Sequence, residues 1–263
     1  MCFMQSWNDM KKLVRVARAL VVAAAIVLST GQGPANATTL FISGEGLLAA
    51  SAAETAFLAG LGSATTESFE GFTAANPAVK PPFFVTSVGT FTQIVAGILG
   101  ACAPTTCTGL SILSVGTTPF DGRFAVDGNN WLDSNDSQEM TWTPTPLPMP
   151  SSLGFYLTDP NDSNGRMDIT TGDGLLTSML FGNVFGGDLE NGKVFYISIF
   201  DADGIASVKF VANDLDDGYG IDRFSIGSPV PEPATLLLLG SGLAGLGFWG
   251  HGRKRKRKVV ASD

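Results

Sequence analysis

Two uncharged apolar stretches, one near each end of the chain, confine any folded domain to the residues between them. The first covers residues 19–29 (ALVVAAAIVLS) and the second covers residues 234–250 (ATLLLLGSGLAGLGFWG). As a helix, the longer stretch rises only about 25 Å, which is less than the roughly 30 Å of hydrocarbon in a bilayer. We therefore expect two short-lived membrane segments around a single domain of residues 38–228.

The N-terminal stretch has the order of a secretory signal. Basic residues stand before it at positions 11, 12, 15 and 18, and glycine or proline follows it at positions 31, 33 and 34. Ala35 and Ala37 then form the small-x-small pattern that signal peptidase cleaves. The sequence predicts a signal peptide over residues 1–37, with an uncleaved anchor as the alternative. Met10 is an alternative start, because the chain before the basic residues is long for such a signal.

The C-terminal end has three parts in a fixed order. Pro231, Glu232 and Pro233 come first, the apolar helix of residues 234–250 follows, and six consecutive basic residues at 253–258 close it. Basic residues stay on the cytoplasmic side of a membrane, so the domain is expected outside. Five glycines weaken the helix as a permanent anchor and allow close packing against another helix.

This C-terminal order resembles the PEP-CTERM sorting domain, and we assign residues 229–258 to it. The resemblance implies processing by an exosortase, a membrane-embedded transpeptidase of Gram-negative bacteria that removes the tail near the Pro-Glu-Pro motif. The precursor would be held in the inner membrane, and the mature form would reach the cell surface or the extracellular matrix, often alongside exopolysaccharide in biofilms. A plain membrane-anchored protein that is never cleaved there is the alternative.

The charge of the central domain limits its partners. The domain holds six basic and 21 acidic residues, so its net charge is −15. Such a surface repels the phosphates of nucleic acids, which excludes a nucleic-acid function. It is compatible with divalent cations and with neutral polymers.

The domain itself is predicted to be all-β, a single β-sandwich or jelly roll. Short β-branched and aromatic segments alternate with turn residues about every ten positions. The predicted strands are residues 66–72, 83–94, 111–115, 123–126, 139–143, 154–158, 167–171, 176–184, 194–200, 206–212 and 221–227. One soluble helix is predicted over the alanine-rich residues 46–61.

Two local patterns are specific enough to test. Residues 201–204 (DADG), between the strands 194–200 and 206–212, predict a β-hairpin. Alternation in the last strand places the odd-numbered residues 221–225 on one face and the even-numbered residues 222–226 on the other.

Residues 68–72 (SFEGF) and 217–222 (DGYGID) resemble the first and last strands of lectin-like jelly-roll domains. In several such domains one acidic residue on each of these strands binds a shared structural calcium. The resemblance implies that Glu70 and Asp222 are calcium ligands.

Clustered acids point to the same ion independently of that resemblance. Calcium prefers several oxygen ligands, and Asp214, Asp216 and Asp217 stand together shortly before Asp222. Residues 133–136 and 159–164 are weaker candidates. The alternative is that these segments are polar turns, because Asp, Asn and Gly are the ordinary residues of turns.

Most catalytic chemistries are missing from the domain. The single histidine of the chain, His251, lies in the tail, which excludes Ser-His-Asp and Cys-His catalysis in the domain. Cys102 and Cys107 are expected to form a disulfide in an oxidising compartment, with a metal or redox role as the alternative.

The sequence therefore predicts a non-catalytic surface or matrix protein that binds exopolysaccharide or calcium. The alternative is a secreted polysaccharide hydrolase that uses two carboxylates. Such an enzyme needs acids in a cleft lined by aromatic residues, and Glu139 near Trp131 and Trp142 is its best candidate.

Overall fold

The computed structural model describes residues 37–74, 83–97, 109–116, 121–135, 137–145, 148–160, 163–185, 191–213 and 217–230. The signal peptide up to residue 36, with Ala35, lies outside these residues. So do Cys102, Cys107, Asp214, Asp216 and the sorting signal from Pro231 onward. Within the described ranges, no helix is long and apolar enough to cross a membrane.

Seven antiparallel strands form the first sheet. In spatial order they are β1 (Thr39–Ile42), β11 (Val194–Phe200), β8 (Ser152–Thr158), β13 (Gly220–Pro229), β6 (Asn130–Asp133) and β5 (Ser111–Ser114), with β2 (Leu61–Glu67) beside the second half of β13. One side of β13 pairs with β8, and the other side pairs first with β6 and then with β2. The last strand of the domain therefore lies in the middle of this sheet.

Six antiparallel strands form the second sheet. In spatial order they are β10 (Leu176–Leu180), β9 (Arg166–Thr171), β12 (Ile205–Val211), β7 (Glu139–Thr143), β4 (Gly89–Val95) and β3 (Phe83–Thr86). The described helices are α1 (Leu47–Ala59) and α2 (Phe181–Phe185). The predicted soluble helix is thus present, with each end slightly inside the predicted one.

The two sheets pack face to face through buried aromatic rings. The ring of Phe224 on β13 lies 5.0 Å from those of both Phe91 and Trp142 on the second sheet. Phe155 on β8 lies 5.6 Å from Phe210 on β12. These separations are in the range that aromatic pairs prefer, and all five side chains are buried. The predicted all-β class is confirmed, while the lectin-like jelly-roll connectivity stays a prediction.

Helix α1 covers the outer face of the first sheet. Ala50 of the helix is buried in a small cluster with Tyr156 on β8 and Tyr196 on β11. The ring of Phe57 lies 5.9 Å from that of Tyr196. The strands β8 and β11 are therefore covered on both faces, and polar side chains are enclosed on the outer face of this part of the first sheet.

The predicted hairpin at residues 201–204 is wrong. The turn is present, with Gly204 at φ 86° and the Asp203 amide donating to the carboxylate of Asp201. However, β11 pairs with β1 and β8, whereas β12 pairs with β7 and β9. The turn connects the two sheets, because both edges of β11 are already paired, with β1 and β8, and leave no edge for β12.

The predicted alternation of the last strand is also wrong. Arg223 has φ 47°, and the pairing of β13 with β8 shifts between Asp222 and Ser225. An irregularity of this kind changes which face the next side chain occupies. Ile221 and Phe224 therefore both lie in the core between the sheets, although the alternation placed them on opposite faces.

Four further strand predictions differ from the structure. The predicted strand 83–94 is divided by a turn into β3 and β4, and the predicted strand 176–184 ends at Leu180, where α2 begins. β2 ends at Glu67, because Phe69 turns inward at φ 61° and its amide donates to the Glu67 carboxylate. Residues 123–126 form no strand, and the strand of this region is β6 instead. Their side chains pack on the outer face of the first sheet, where Phe124 and Val126 contact the cluster around Tyr156.

Candidate functional site

Asp222 lies on the outer face of the first sheet and is fully buried. Its Oδ2 accepts hydrogen bonds from the amides of Val126 (2.7 Å) and Asp127 (3.0 Å), and its Oδ1 accepts one from the amide of Arg223 (2.6 Å). Burial raises the pKa of this carboxyl to about 7, although the three amides act in the opposite direction. Asp222 thus holds the chain at residues 126–127 against the sheet.

Glu70 holds the other end of the same loop. Its Oε1 accepts hydrogen bonds from the amides of Asn129 (2.8 Å) and Asn130 (2.6 Å). Gly128, which precedes Asn129 in this loop, has φ 73°, and a Cβ added there would lie 2.5 Å from the Glu70 carboxylate. Glu70 and Asp222 therefore both bind the loop of residues 126–130, because their carboxylates accept hydrogen bonds from its backbone amides.

Asp217 belongs to a buried ion-pair cluster. The guanidinium of Arg123 lies 3.0 Å from the carboxylate of Asp133 and 3.1 Å from that of Asp217, and the side chain of Arg123 is only 3% exposed. Asp133 also accepts hydrogen bonds from the Trp131 indole (2.9 Å) and the Asn135 amide (2.7 Å). This cluster joins β6 to the start of β13.

Asp159 follows β8 and is also buried. Its Oδ1 accepts a hydrogen bond from the Gly192 amide at 3.0 Å. Burial raises the pKa of Asp159 to about 6, and the negative charges of Asp217 and Asp133 act in the same direction. The residues 159–164 thus contribute a structural carboxyl to the domain.

Calcium remains a prediction for these acids. In the part of the chain that the structure describes, no group of three or more His, Cys, Asp or Glu side chains is arranged to hold a metal ion. Glu70, Asp217 and Asp222 each engage protein donors, and Asp214 and Asp216 lie outside the described residues.

Sequence reasoning missed the basic residues that organise this face. Arg223 lies 2.6 Å from Glu54 of α1 and also pairs with Asp127, and Glu54 accepts a hydrogen bond from the Tyr156 hydroxyl at 2.8 Å. A signal was available. Arg123 and Arg223 are two of only six basic residues in a domain of 21 acids, and Glu54 is the single charged residue of α1.

The outer face of the second sheet offers a different, accessible polar surface. Lys209 lies 3.9 Å from the carboxylates of both Glu139 and Asp168, and Arg166 lies 3.1 Å from Asp168. At one end of this face an open pocket of about 320 Å³ is lined by Gln138, Glu139, Arg166 and Asn213 with apolar neighbours. Amide and charged side chains of this kind can hydrogen-bond the hydroxyls of a sugar.

Glu139 does not share a cleft with the tryptophans. Trp142 is buried between the two sheets, and Trp131 is buried beside Asp133 on the first sheet. Glu139 lies on the outer face of the second sheet beside Lys209. Among the described residues, the aromatic-lined carboxylate cleft expected of a polysaccharide hydrolase is not formed at Glu139.

Comparison with known proteins identifies the C-terminal end. Residues 229–255 match the family model of the PEP-CTERM protein-sorting motif, which confirms the resemblance predicted from Pro231, Glu232 and Pro233. No curated protein matches the chain. Among solved structures it is similar to the K2 cleaved adhesin domain of Lys-gingipain, with 15% identity, 62% of this chain and 99% of that chain covered, and a TM-score of 0.40. A similarity of this size carries no argument about function.

Proposed function

We propose that this chain, which carries a PEP-CTERM protein-sorting motif, is an exported non-catalytic protein of the cell surface or extracellular matrix that an exosortase processes. The position of the motif carries the proposal. It begins at residue 229, which is also the last residue of β13. Cleavage near Pro231, Glu232 and Pro233 would therefore leave every described strand intact and release a complete sandwich.

Intact mass of the surface-exposed protein tests the sorting route. We expect a mature species that begins after Ala37 and has lost residues 234–263, because the basic tail stays on the cytoplasmic side and the apolar helix is removed with it. A strain without its exosortase is the control and should retain the full tail. A surface form that keeps residues 234–263 in the wild-type strain would show a plain membrane anchor instead.

Exopolysaccharide is the ligand class we propose for the domain. The support is the pocket of Gln138, Glu139, Arg166 and Asn213, which is open and offers amide and charged side chains at the surface of the second sheet. The acidic domain suits a neutral polymer better than a polyanion, because like charges repel. Binding of this kind would keep the mature protein in the matrix after its tail is removed.

Retention on exopolysaccharide from the producing strain tests this ligand. The double variant Gln138→Ala/Glu139→Ala should be retained about tenfold less, which corresponds to the loss of ~1.4 kcal/mol of polar contacts. Glu45→Ala is the matched control. Glu45 is an exposed acid that pairs with Lys193, and neither residue lines the pocket. Equal retention of the wild type and the double variant would exclude the pocket.

Calcium is the second ligand that we propose, bound by the acidic segment of Asp214, Asp216 and Asp217. Glu70 and Asp222, the other predicted ligands, already accept hydrogen bonds from backbone amides. A ligand that binds only the folded state raises its melting temperature. We expect a chelator to lower Tm, and Asp214→Asn/Asp216→Asn to abolish that difference without altering Tm in chelator. A melting curve that the chelator leaves unchanged would rule out the site.

A further inference from the structure

An apolar groove lies at the end of the sandwich where β1 begins and β13 ends. It has a volume of about 230 Å³ and is lined by Phe41, Phe57, Leu61, Phe200 and Pro229 with smaller neighbours, none of the described lining residues being charged. Phe41 is 56% exposed and Phe200 is 39% exposed. Clustered exposed aromatic residues on a water-facing domain indicate a surface that is covered by something else.

β1 and β13, the first and last strands of the domain, both reach this groove. Thr39, the first residue of β1, and Pro229, the last residue of β13, both line it. Val230 follows directly, is 50% exposed, and donates its amide to the carbonyl of Gly60 beside the groove. The signal peptide and the sorting signal are therefore attached to the same end of the domain.

The chain between the groove and the apolar stretch is short. Only residues 230–233 separate Pro229 from the apolar residues that begin at position 234. Four residues span at most about 14 Å even when fully extended. This length limits how far the groove can lie from the start of the apolar stretch.

This upper limit is about twice the thickness of the lipid headgroup layer. The headgroups of one leaflet add roughly 5–8 Å to the hydrocarbon core. A domain held by so short a connection has its attached end at the headgroups. The domain as a whole, with its net charge of −15, is repelled by anionic lipids, so the groove, whose described lining residues carry no charge, is the surface best suited to approach them.

We infer that this groove is a membrane-contact surface of the precursor, with Phe41, Phe200 and Val230 inserted among lipid headgroups while the C-terminal helix is still attached. The inference rests on the proposed function, because it requires a membrane-held precursor. Aromatic and aliphatic side chains at the headgroup boundary bind lipid by the apolar area that they bury. Removal of the tail would release this surface together with the helix.

Photo-crosslinking in vesicles tests the contact. The full chain, with the photoreactive analogue benzoylphenylalanine at position 41, is reconstituted into vesicles of phosphatidylcholine and phosphatidylglycerol. The matched control has the analogue at Phe83, which is 51% exposed on β3 of the second sheet. We expect about tenfold more lipid adduct at position 41 than at position 83, because only the groove end is held within reach of the lipid headgroups.

The outcomes separate this inference from the proposed function. Vesicle flotation of the same samples reports whether the chain is membrane-held, and failure to float would overturn both. Flotation with equal or absent lipid adducts at the two positions would overturn the contact surface alone. Adducts of position 41 to a second copy of the chain would also overturn it, and would make the groove an interface between copies.

Discussion

Replacement of Arg123 by methionine should lower the free energy of unfolding of the domain by about 3–5 kcal/mol. Arg123 is the cation between Asp133 and Asp217, and the side chain of Asp133 is fully buried. Methionine keeps much of the aliphatic part of the arginine side chain but lacks the guanidinium. The carboxylate of Asp133 would therefore stay buried without its counter-ion. Urea unfolding of wild type and variant measures the difference.

Two further variants identify the cause of that loss. Arg166→Met breaks a pair with Asp168 whose arginine is 34% exposed, and it should cost less than about 1 kcal/mol. Asp133→Asn added to the Arg123→Met variant should restore part of the stability, because it removes the uncompensated charge. A loss at Arg123 no larger than that at Arg166 would contradict a role for the buried pair.

Replacement of Asp222 by alanine should cost about 2–3 kcal/mol, because three backbone amides lose their common, buried acceptor. The loop of residues 126–130 would then be held only from its other end by Glu70. We expect faster hydrogen exchange at Val126 and Asp127 than in the wild type. The amides of β8, measured in the same experiment, serve as the internal control.

The same carboxyl should make stability depend on pH. Its folded pKa of about 7 exceeds its ordinary value of 3.8, so the folded state binds the proton more tightly. This contribution is complete below about pH 4 and is lost as the pH rises through about 7, by up to about 1.4 kcal/mol per pH unit. Asp222→Asn should lack this slope, whereas the titration of Asp159 persists in both proteins. Parallel pH profiles would contradict the assignment to Asp222.

The C-terminal sorting signal and the fold class could be predicted because their signals are local. The Pro-Glu-Pro motif, the uncharged apolar stretch and the basic residues each occupy a few neighbouring positions, and the family match confirms the sorting motif that they form. The all-β class follows from turn spacing and β-branched segments, and α1 follows from its run of alanines. None of these predictions requires knowledge of which strands are neighbours.

The pairing of strands and the partners of the acids depend on non-local contacts, which the sequence does not display. A turn at residues 201–204 is compatible with a hairpin and with a crossing between sheets, and the structure excludes the hairpin because both edges of β11 pair with other strands. Asp222 was predicted as a metal ligand from a family resemblance and from the acids that precede it, but its oxygens face amides almost a hundred residues away in sequence. Only the bulge beside Arg223 places them there.

The central place of β13 sets the order in which the domain can fold after export. In the first sheet β13 lies between β8 and β6 and pairs with both. β2 has β13 as its described partner. These contacts join distant parts of the chain, and such topologies fold slowly because long loops must close first. The last strand emerges just before the sorting motif, so an exported chain completes its first sheet only when its tail arrives. Folding and tail processing therefore compete in time, and an unfolded domain waiting at the membrane would be the form most exposed to proteases.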